Sequence, residues 1–282
     1  WLFNPRHYEQ VSYLQPSAVL FHVRDYFPGM GVWTSEEQYN LDALAERADL
    51  ITIAGEAMGE CIPVSARGKV RLLENGVDAP AYIAGCEEVC PADLAGIPSP
   101  RIGLVGSINS KIDLSSILKL SKIRNDLQFV FIGPVMLANG HGDDKLQNVW
   151  DECLQQPNIH WLGLKKHHEL PAYLAYMDAN MMAYRTSEIE ESWVRFINPL
   201  KMYAYLAAGK PIIGVDIREI ARFADFIEIA RGPDGWEAAI DNAISVDSKG
   251  TASDRQAVAL RNTWDSRVDE IEGWILEILS AG

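Results

Sequence analysis

The sequence predicts an α/β chain made of doubly wound parallel sheets, and three observations carry that prediction. Apolar runs of strand length alternate with stretches of helical period along most of the chain. The alternation lapses over residues 79–100, which hold Pro80, Pro91, Pro98 and Pro100, and restarts at Arg101 as it would between two sheets. Residues 198–213 read in order as a helix start, one short helix, a sharp stop and a buried strand.

The elements follow from the amino end. Residues 16–23 predict a buried strand bounded by Pro16 and by Arg24-Asp25, with His22 half-buried within it. Ser35 reads as the cap of a helix running to about residue 48, with Leu41, Leu44 and Ala45 on its apolar side. Leu50–Ile53 and Val70–Leu73 are further short strands, and strands alternating with helices imply a parallel sheet covered on both faces. Beyond Arg101 the pattern predicts strands at 101–106, 127–132, 158–162, 179–184 and 211–215, with helices at 113–124, 144–155, 168–176 and 199–208. A helix over about 233–245, opened by Gly232-Pro233-Asp234, comes next. One closing helix over about 253–279 places Trp264, Val268, Ile271, Ile275 and Ile278 on a single stripe. The domain reading is therefore 1–97 with the linker, 98–252, and a terminal helix 253–282.

Composition narrows the function classes. At 282 residues and 48% hydrophobic the chain can bury two cores. A net charge of −14 argues against nucleic acid as a partner. The acidic excess is concentrated early, with 6 Lys+Arg against 14 Asp+Glu in residues 1–97. No run of eighteen apolar residues occurs and no secretory pattern is present, so the expected location is the cytoplasm. Cys61, Cys86, Cys90 and Cys153 suit neither a zinc site nor a disulfide scaffold, and reduced thiols are expected. His167-His168 lack metal-ligand spacing, and Asp143-Asp144 read as helix-start charge, so no metal is expected.

The segment at 198–213 carries the most chemistry. Asn198 is read as an N-cap and Pro199 as the first helical residue, where a missing N–H costs nothing. Leu200, Tyr203, Leu206 and Ala207 share a face, and Gly209 with Pro211 ends the helix. A positive helix end beside Lys201 makes an anion site; an ordinary capped helix is the alternative that the same residues allow. The stretch Gly106-Ser107-Ile108-Asn109-Ser110-Lys111 follows a strand end and offers close backbone approach, polar donors and a cation. A plain strand–helix turn with a solvated lysine fits it equally. Arg185 follows the strand at 179–184 and has two possible partners, a phosphate or the glutamates of Glu188-Ile-Glu-Glu191. Asp25-Tyr26 lies at a strand end, as a substrate contact or as a merely solvated loop.

Asn198-Pro-Leu-Lys201 followed by Tyr205-Leu-Ala-Ala-Gly-Lys-Pro-Ile-Ile213 resembles the donor segment of nucleotide-sugar glycosyltransferases with the GT-B fold. The similarity is to the family-four-like enzymes of bacterial cell-surface polysaccharide synthesis. Leu73–Asp78, Arg101–Ser107, Phe131–Pro134, Asn158–Gly163 and Glu169–Leu174 resemble further family segments in the family's order. The resemblance implies two Rossmann-like domains, the first acceptor-side and N-terminally incomplete, lacking roughly one hundred residues on the domain-size prior. It also implies a nucleotide-sugar-binding second domain and a C-terminal crossover helix. The implied activity is retaining and metal-independent, moving a sugar from a nucleotide-diphosphate donor to a saccharide or lipid-linked acceptor. No cofactor besides that donor is implied, and the enzyme would work in the cytoplasm or peripherally at the inner membrane face.

Carried onto this chain, the catalytic cations are Lys111 and Lys201, and the donor is held by Gly106, Ser107, Asn109, Arg185, Asn198, Pro199 and Leu200. Asp25 and Tyr26 fall on the acceptor side. Two positions depart from the family's paired glutamates, which are Phe196 and Ala204 here. The second glutamate accepts hydrogen bonds from the nucleotide ribose, which alanine cannot do. That departure keeps a noncatalytic GT-B-like binding subunit open as an alternative, beside a nucleotide-sugar 2-epimerase.

Overall fold

Runs rich in Val, Ile, Leu, Phe and Met at residues 50–53, 101–105, 128–132, 179–182 and 212–215 are strands in the computed structural model, almost every residue of them buried. Consecutive burial requires cover on both faces, the mark of a parallel sheet between helical layers. The structure describes residues 1–29, 33–137, 144–186, 193–232, 234–245 and 249–281. They form two compact units, one of residues 1–76, 189–199 and 262–282 and one of 77–188 and 200–261.

The strands are β1 (Leu20–Val23), β2 (Leu50–Ile53), β3 (Val70–Leu72), β4 (Arg101–Val105), β5 (Gln128–Ile132), β6 (Ile159–Trp161), β7 (Ala179–Met182), β8 (Ile212–Val215) and β9 (Glu228–Ala230). The helices are α1 (Tyr8–Leu14), α2 (Ser35–Arg47), α3 (Ala79–Ala84), α4 (Ala92–Ala95), α5 (Leu114–Ile123) and α6 (Asp144–Leu154), then α7 (Leu170–Ala175), α8 (Leu200–Ala208), α9 (Arg218–Ala221), α10 (Gly235–Ser245), α11 (Ala252–Leu260) and α12 (Trp264–Ala281). All strand pairings are parallel.

The first unit holds the sheet β1-β2-β3. Side chains alternate across it. Phe21, Val23, Ile51 and Ile53 pack with Leu41, Leu44 and Ala45 of α2. Leu20, Leu50 and Leu73 pack on the other face against Ile271, Trp274, Ile275 and Ile278 of α12. Leu2 extends the sheet by a bridge to Phe21, which the sequence analysis did not foresee. Thr34, not Ser35, caps α2: its hydroxyl accepts from the Glu37 amide while the Glu37 carboxylate accepts from the Thr34 amide. The spacing Thr-x-x-Glu closes this reciprocal box, whereas Gln38, three residues after Ser35, is engaged instead with Trp33 and Asp42.

The second unit holds β6-β5-β4-β7-β8-β9. Ile102, Phe129, Val130 and Ile213 are fully buried in it. The proline-rich stretch 79–100 folds into α3 and α4 and belongs to this unit, so the division falls after Gly76 rather than after residue 97. Tight packing draws it in, for Gly85 lies so close to Pro171 that a Cβ there would meet the proline Cβ at 2.2 Å.

The expected single terminal helix is two helices. Thr263 restarts the chain as a new cap, its hydroxyl accepting from the Ser266 amide, and α11 falls in the second unit while α12 falls in the first. The restart moves the apolar stripe to Ile271, Trp274, Ile275 and Ile278, leaving Trp264 and Val268 half-exposed. Helix α8 begins at Leu200, one residue later than expected, so Pro199 precedes the helix. The expected Gly232-Pro233-Asp234 opening and the Asp143-Asp144 charge pair fall partly on residues outside those described.

Arg255 of α11 ties α8 down at its carboxyl end. Its guanidinium is fully buried and donates to the Gly209 carbonyl from Nε at 3.1 Å and Nη2 at 3.0 Å, and to Lys249 O and Gly250 O from Nη1. Urea unfolding should separate this clamp from an ordinary cap. Thr34→Ala is expected to cost about 1 kcal/mol, and Arg255→Met about 3 kcal/mol because the buried Gly209 carbonyl and the half-buried carbonyls of Lys249 and Gly250 lose their donor. An Arg255→Met loss no larger than that of Thr34→Ala would show that the guanidinium is dispensable.

Candidate functional site

The strand order reverses at β4: the chain leaves it first for β5 on one side and later for β7 on the other. Ligands of open α/β sheets bind outside the carboxyl strand ends at such a switch point, which here lies between β4 and β7. Gly106 ends β4 with φ at +119°, a conformation costly for any side chain, and its amide donates to Ile132 O at 2.8 Å. Gly133 ends β5 with φ at +146°, and a Cβ there would stand 2.2 Å from Gly106 O. Backbone therefore packs on backbone at this rim.

The loop after β4 is then stitched across to β7. Asn109 turns it, accepting from the Lys111 amide through Oδ1 at 3.1 Å and from the Ile112 amide through its carbonyl at 3.0 Å. Lys111 O accepts from the Arg185 amide at 2.8 Å, the Asp113 amide donates to Ala183 O at 2.9 Å, and Ile112 bridges Tyr184. Gly106, Ser107, Ile108, Ala183 and Lys201 line the crevice beneath this stitching.

Lys201 stands in the first turn of α8. Its Nζ comes within 3.0 Å of the place a Gly106 Cβ would occupy and lies over the Tyr184 ring, 5.6 Å from the centroid. Among the described residues no carboxylate makes an ion pair with it. Burial, and secondarily the charge of Lys111, pull its ammonium from the usual lysine range down to about 8. The first turn of any helix adds amides that have no intrahelical acceptor. A desolvated ammonium, a second cation and the first turn of a helix at one sheet edge suit a polyanion.

The structure thus brings Gly106, Ser107, Asn109, Lys111 and Lys201 together within the second unit. Arg185 is anchored there by its backbone while its side chain is exposed, and the glutamates at 188, 190 and 191 lie outside the described residues. Leu200 is exposed. Asn198 and Pro199 fall in the first unit, where the Asn198 amide nitrogen donates to Ala54 O at 2.6 Å and its carbonyl accepts from Asn75 Nδ2 at 3.0 Å. Asp25 makes a 3.5 Å contact with Arg24, and Tyr26 stacks on Phe196 with centroids 4.0 Å apart. Phe196 is buried in the core of that unit and also lies under the Arg195 guanidinium, so it has become a packing residue. Ala204 is buried on α8. Tyr184 and Gly133 were not foreseen as site residues. The glycine of Phe131-Ile-Gly-Pro134 was visible as a strand end, but only the fold shows whose backbone it meets.

No protein-family model matches the chain. Over 177 residues it is 29% identical to TuaH of Bacillus subtilis (strain 168), which its name places provisionally among teichuronic acid biosynthesis glycosyltransferases. The match covers 62% of this chain and 42% of TuaH, so less than half of that relative is represented. Among solved structures, Anabaena HepE in complex with UDP-glucose superimposes with a TM-score of 0.70 at 15% identity, covering 97% of this chain and 75% of HepE. A trehalose-6-phosphate synthase, studied for glycosyl transfer with retention, superimposes with a TM-score of 0.67 at 14% identity, covering 98% and 77%. The chain therefore has the GT-B glycosyltransferase fold, and in sequence it is similar to a polysaccharide-synthesis glycosyltransferase.

Proposed function

We propose that this chain acts in a nucleotide-sugar-dependent glycosyltransferase, moving a sugar from a nucleotide-diphosphate donor to a saccharide or lipid-linked acceptor in cell-surface polysaccharide synthesis. The observation that carries the reading is Lys201, a half-buried ammonium above glycine backbone at the sheet's switch point that no carboxylate among the described residues pairs with. Glycosyl transfer places growing negative charge on a departing diphosphate. Cations and amides fixed beforehand in a poorly hydrated crevice stabilise that charge more than the ground state.

In this reading Lys201 and Lys111 take the diphosphate oxygens, and the backbone at Gly106 and Ser107 lets the phosphates approach closely. Asn109 holds the loop's turn, and Arg185 reaches the donor from the opposite rim. Asp25 and Tyr26 belong to the acceptor side. With two lysines meeting the leaving group, the reaction proceeds without a divalent metal. No side chain is assigned as general base, consistent with the retaining chemistry under study in the trehalose-6-phosphate synthase neighbour. UDP is the first donor nucleotide to try, since HepE holds UDP-glucose on the same fold. No helix among the described residues is long and apolar enough to cross a membrane, and a lipid-linked acceptor would be met peripherally at the cytoplasmic face.

Ala204 favours a second reading, a binding subunit without transferase activity. It offers no acceptor to a ribose where the resembled family carries a carboxylate.

Calorimetric titration with UDP tests the donor site. Lys201→Ala is expected to weaken binding by at least about 30-fold and Lys111→Ala by about 5-fold, as for loss of a buried and of a more solvated charge partner. Failure of the unsubstituted protein to bind any nucleoside diphosphate would defeat the proposal. Sugar transfer to an acceptor separates enzyme from binder, and turnover that stops in a chelator would overturn the metal-independent part.

The pH dependence has a definite sign. Lys201 in the free protein is charged below about 8 and neutral above it. Anion affinity should hold between pH 7 and 8, then fall by up to about tenfold for each further pH unit, with proton uptake on binding. Lys201→Arg should flatten that fall; an equally steep loss in this variant would place the titration elsewhere.

A further inference from the structure

Beyond Gly103, β4 has no ladder partner on its β7 side, because the paired positions there end at Ile102 with Ala179 and Gly103 with Asn180. The loops have begun to part at this level, and a buried strand edge with open backbone groups would be costly. A side chain from α8 fills the gap. The Tyr205 hydroxyl accepts from the Val105 amide at 2.9 Å and faces Val105 O at 3.5 Å as donor, replacing a strand on both groups of one residue. Tyr205 is fully buried.

Tyr205 also lies four residues after Lys201, on the same face of α8. The helix thus meets β4 at two successive points: Tyr205 on Val105, and Lys201 on Gly106. We infer that the Tyr205 hydroxyl is a positioning pin, fixing the rotation and height of α8 on β4 so that Lys201 stands over Gly106. The consequence for donor binding rests on the function proposed above; the pinning itself does not.

A tyrosine that merely fills space would affect stability and leave the lysine where it is. The discriminating readout is therefore the ionisation of Lys201 in the ligand-free protein. Among the described residues, the charged and titratable groups facing it are Lys111 from the loop after β4 and the Tyr184 phenol from the end of β7. Lysines carrying ¹³C-methyl groups can be titrated by NMR, with the Lys201 signal identified by its absence in Lys201→Arg.

In Tyr205→Phe the Lys201 midpoint should rise by roughly one pH unit as the helix end loosens and water reaches the ammonium. UDP affinity should fall by about tenfold, the scale expected when a binding group is displaced without being removed. Tyr176→Phe, which removes a hydroxyl bound to Glu88 O elsewhere in the same unit, should move neither quantity. A Lys201 midpoint unchanged in folded Tyr205→Phe overturns the pin. A midpoint that rises while neither protein binds UDP upholds the pin and sinks only the donor reading. Should Tyr205→Phe not fold, hydrogen exchange of the unsubstituted protein decides. Val105 protected like Leu104 supports the pin, and Val105 exchanging like a solvent-open amide refutes it.

Discussion

The site depends on keeping one ammonium partly out of water with no carboxylate among the described residues paired to it. Lys201 meets glycine backbone, an aromatic face and another lysine. Each of these is weaker compensation than an ion pair, and burial accordingly pulls the lysine's ionisation down. A carboxylate at this point would relieve the deficit and fill the place of an incoming anion. The fold therefore bears a local cost in the free protein that a polyanionic ligand can offset.

The surrounding structure is what lets that arrangement persist. Gly106 and Gly133 bring strand ends together at a distance no side chain would permit, so glycine backbone meets glycine backbone at a rim otherwise lined by apolar side chains such as Ile108 and Ala183. The loop after β4 is then tied to the loop after β7 by three backbone contacts around Lys111, Asp113 and Ile112. Helix α8 is held at its carboxyl end by Arg255 and along its length by Tyr205, leaving its first turn to the crevice. Rigid support of this kind is what a binding constellation needs in order to be preorganised.

The first unit shows a different economy. Where the resembled family carries a glutamate, Phe196 lies in an aromatic stack with Tyr26 and beneath Arg195, inside a packed core. Asn198 spends its amide nitrogen on Ala54 rather than standing open. Both residues hold the unit together.

Strand β9 and the short helices α1, α3, α4 and α9 were missed, whereas the order of eight strands and of the longer helices, parallel pairing, the burial of Leu41, Leu44 and Ala45, and the glycine loop with its lysine were readable from the chain. They rest on period, composition and turn chemistry, which act over a few residues. The exceptions were local as well: Thr34 over Ser35 as a cap, and a helix restart at Thr263, both written in hydroxyl spacings that periodicity overrides when read alone. Only the tertiary structure decided that 79–100 packs into the second unit, that Gly133 meets Gly106, and that Tyr205 takes the place of a strand on Val105. These contacts join residues 27 to 100 positions apart, and a pattern in sequence cannot say which distant backbone a side chain will find when two strands part.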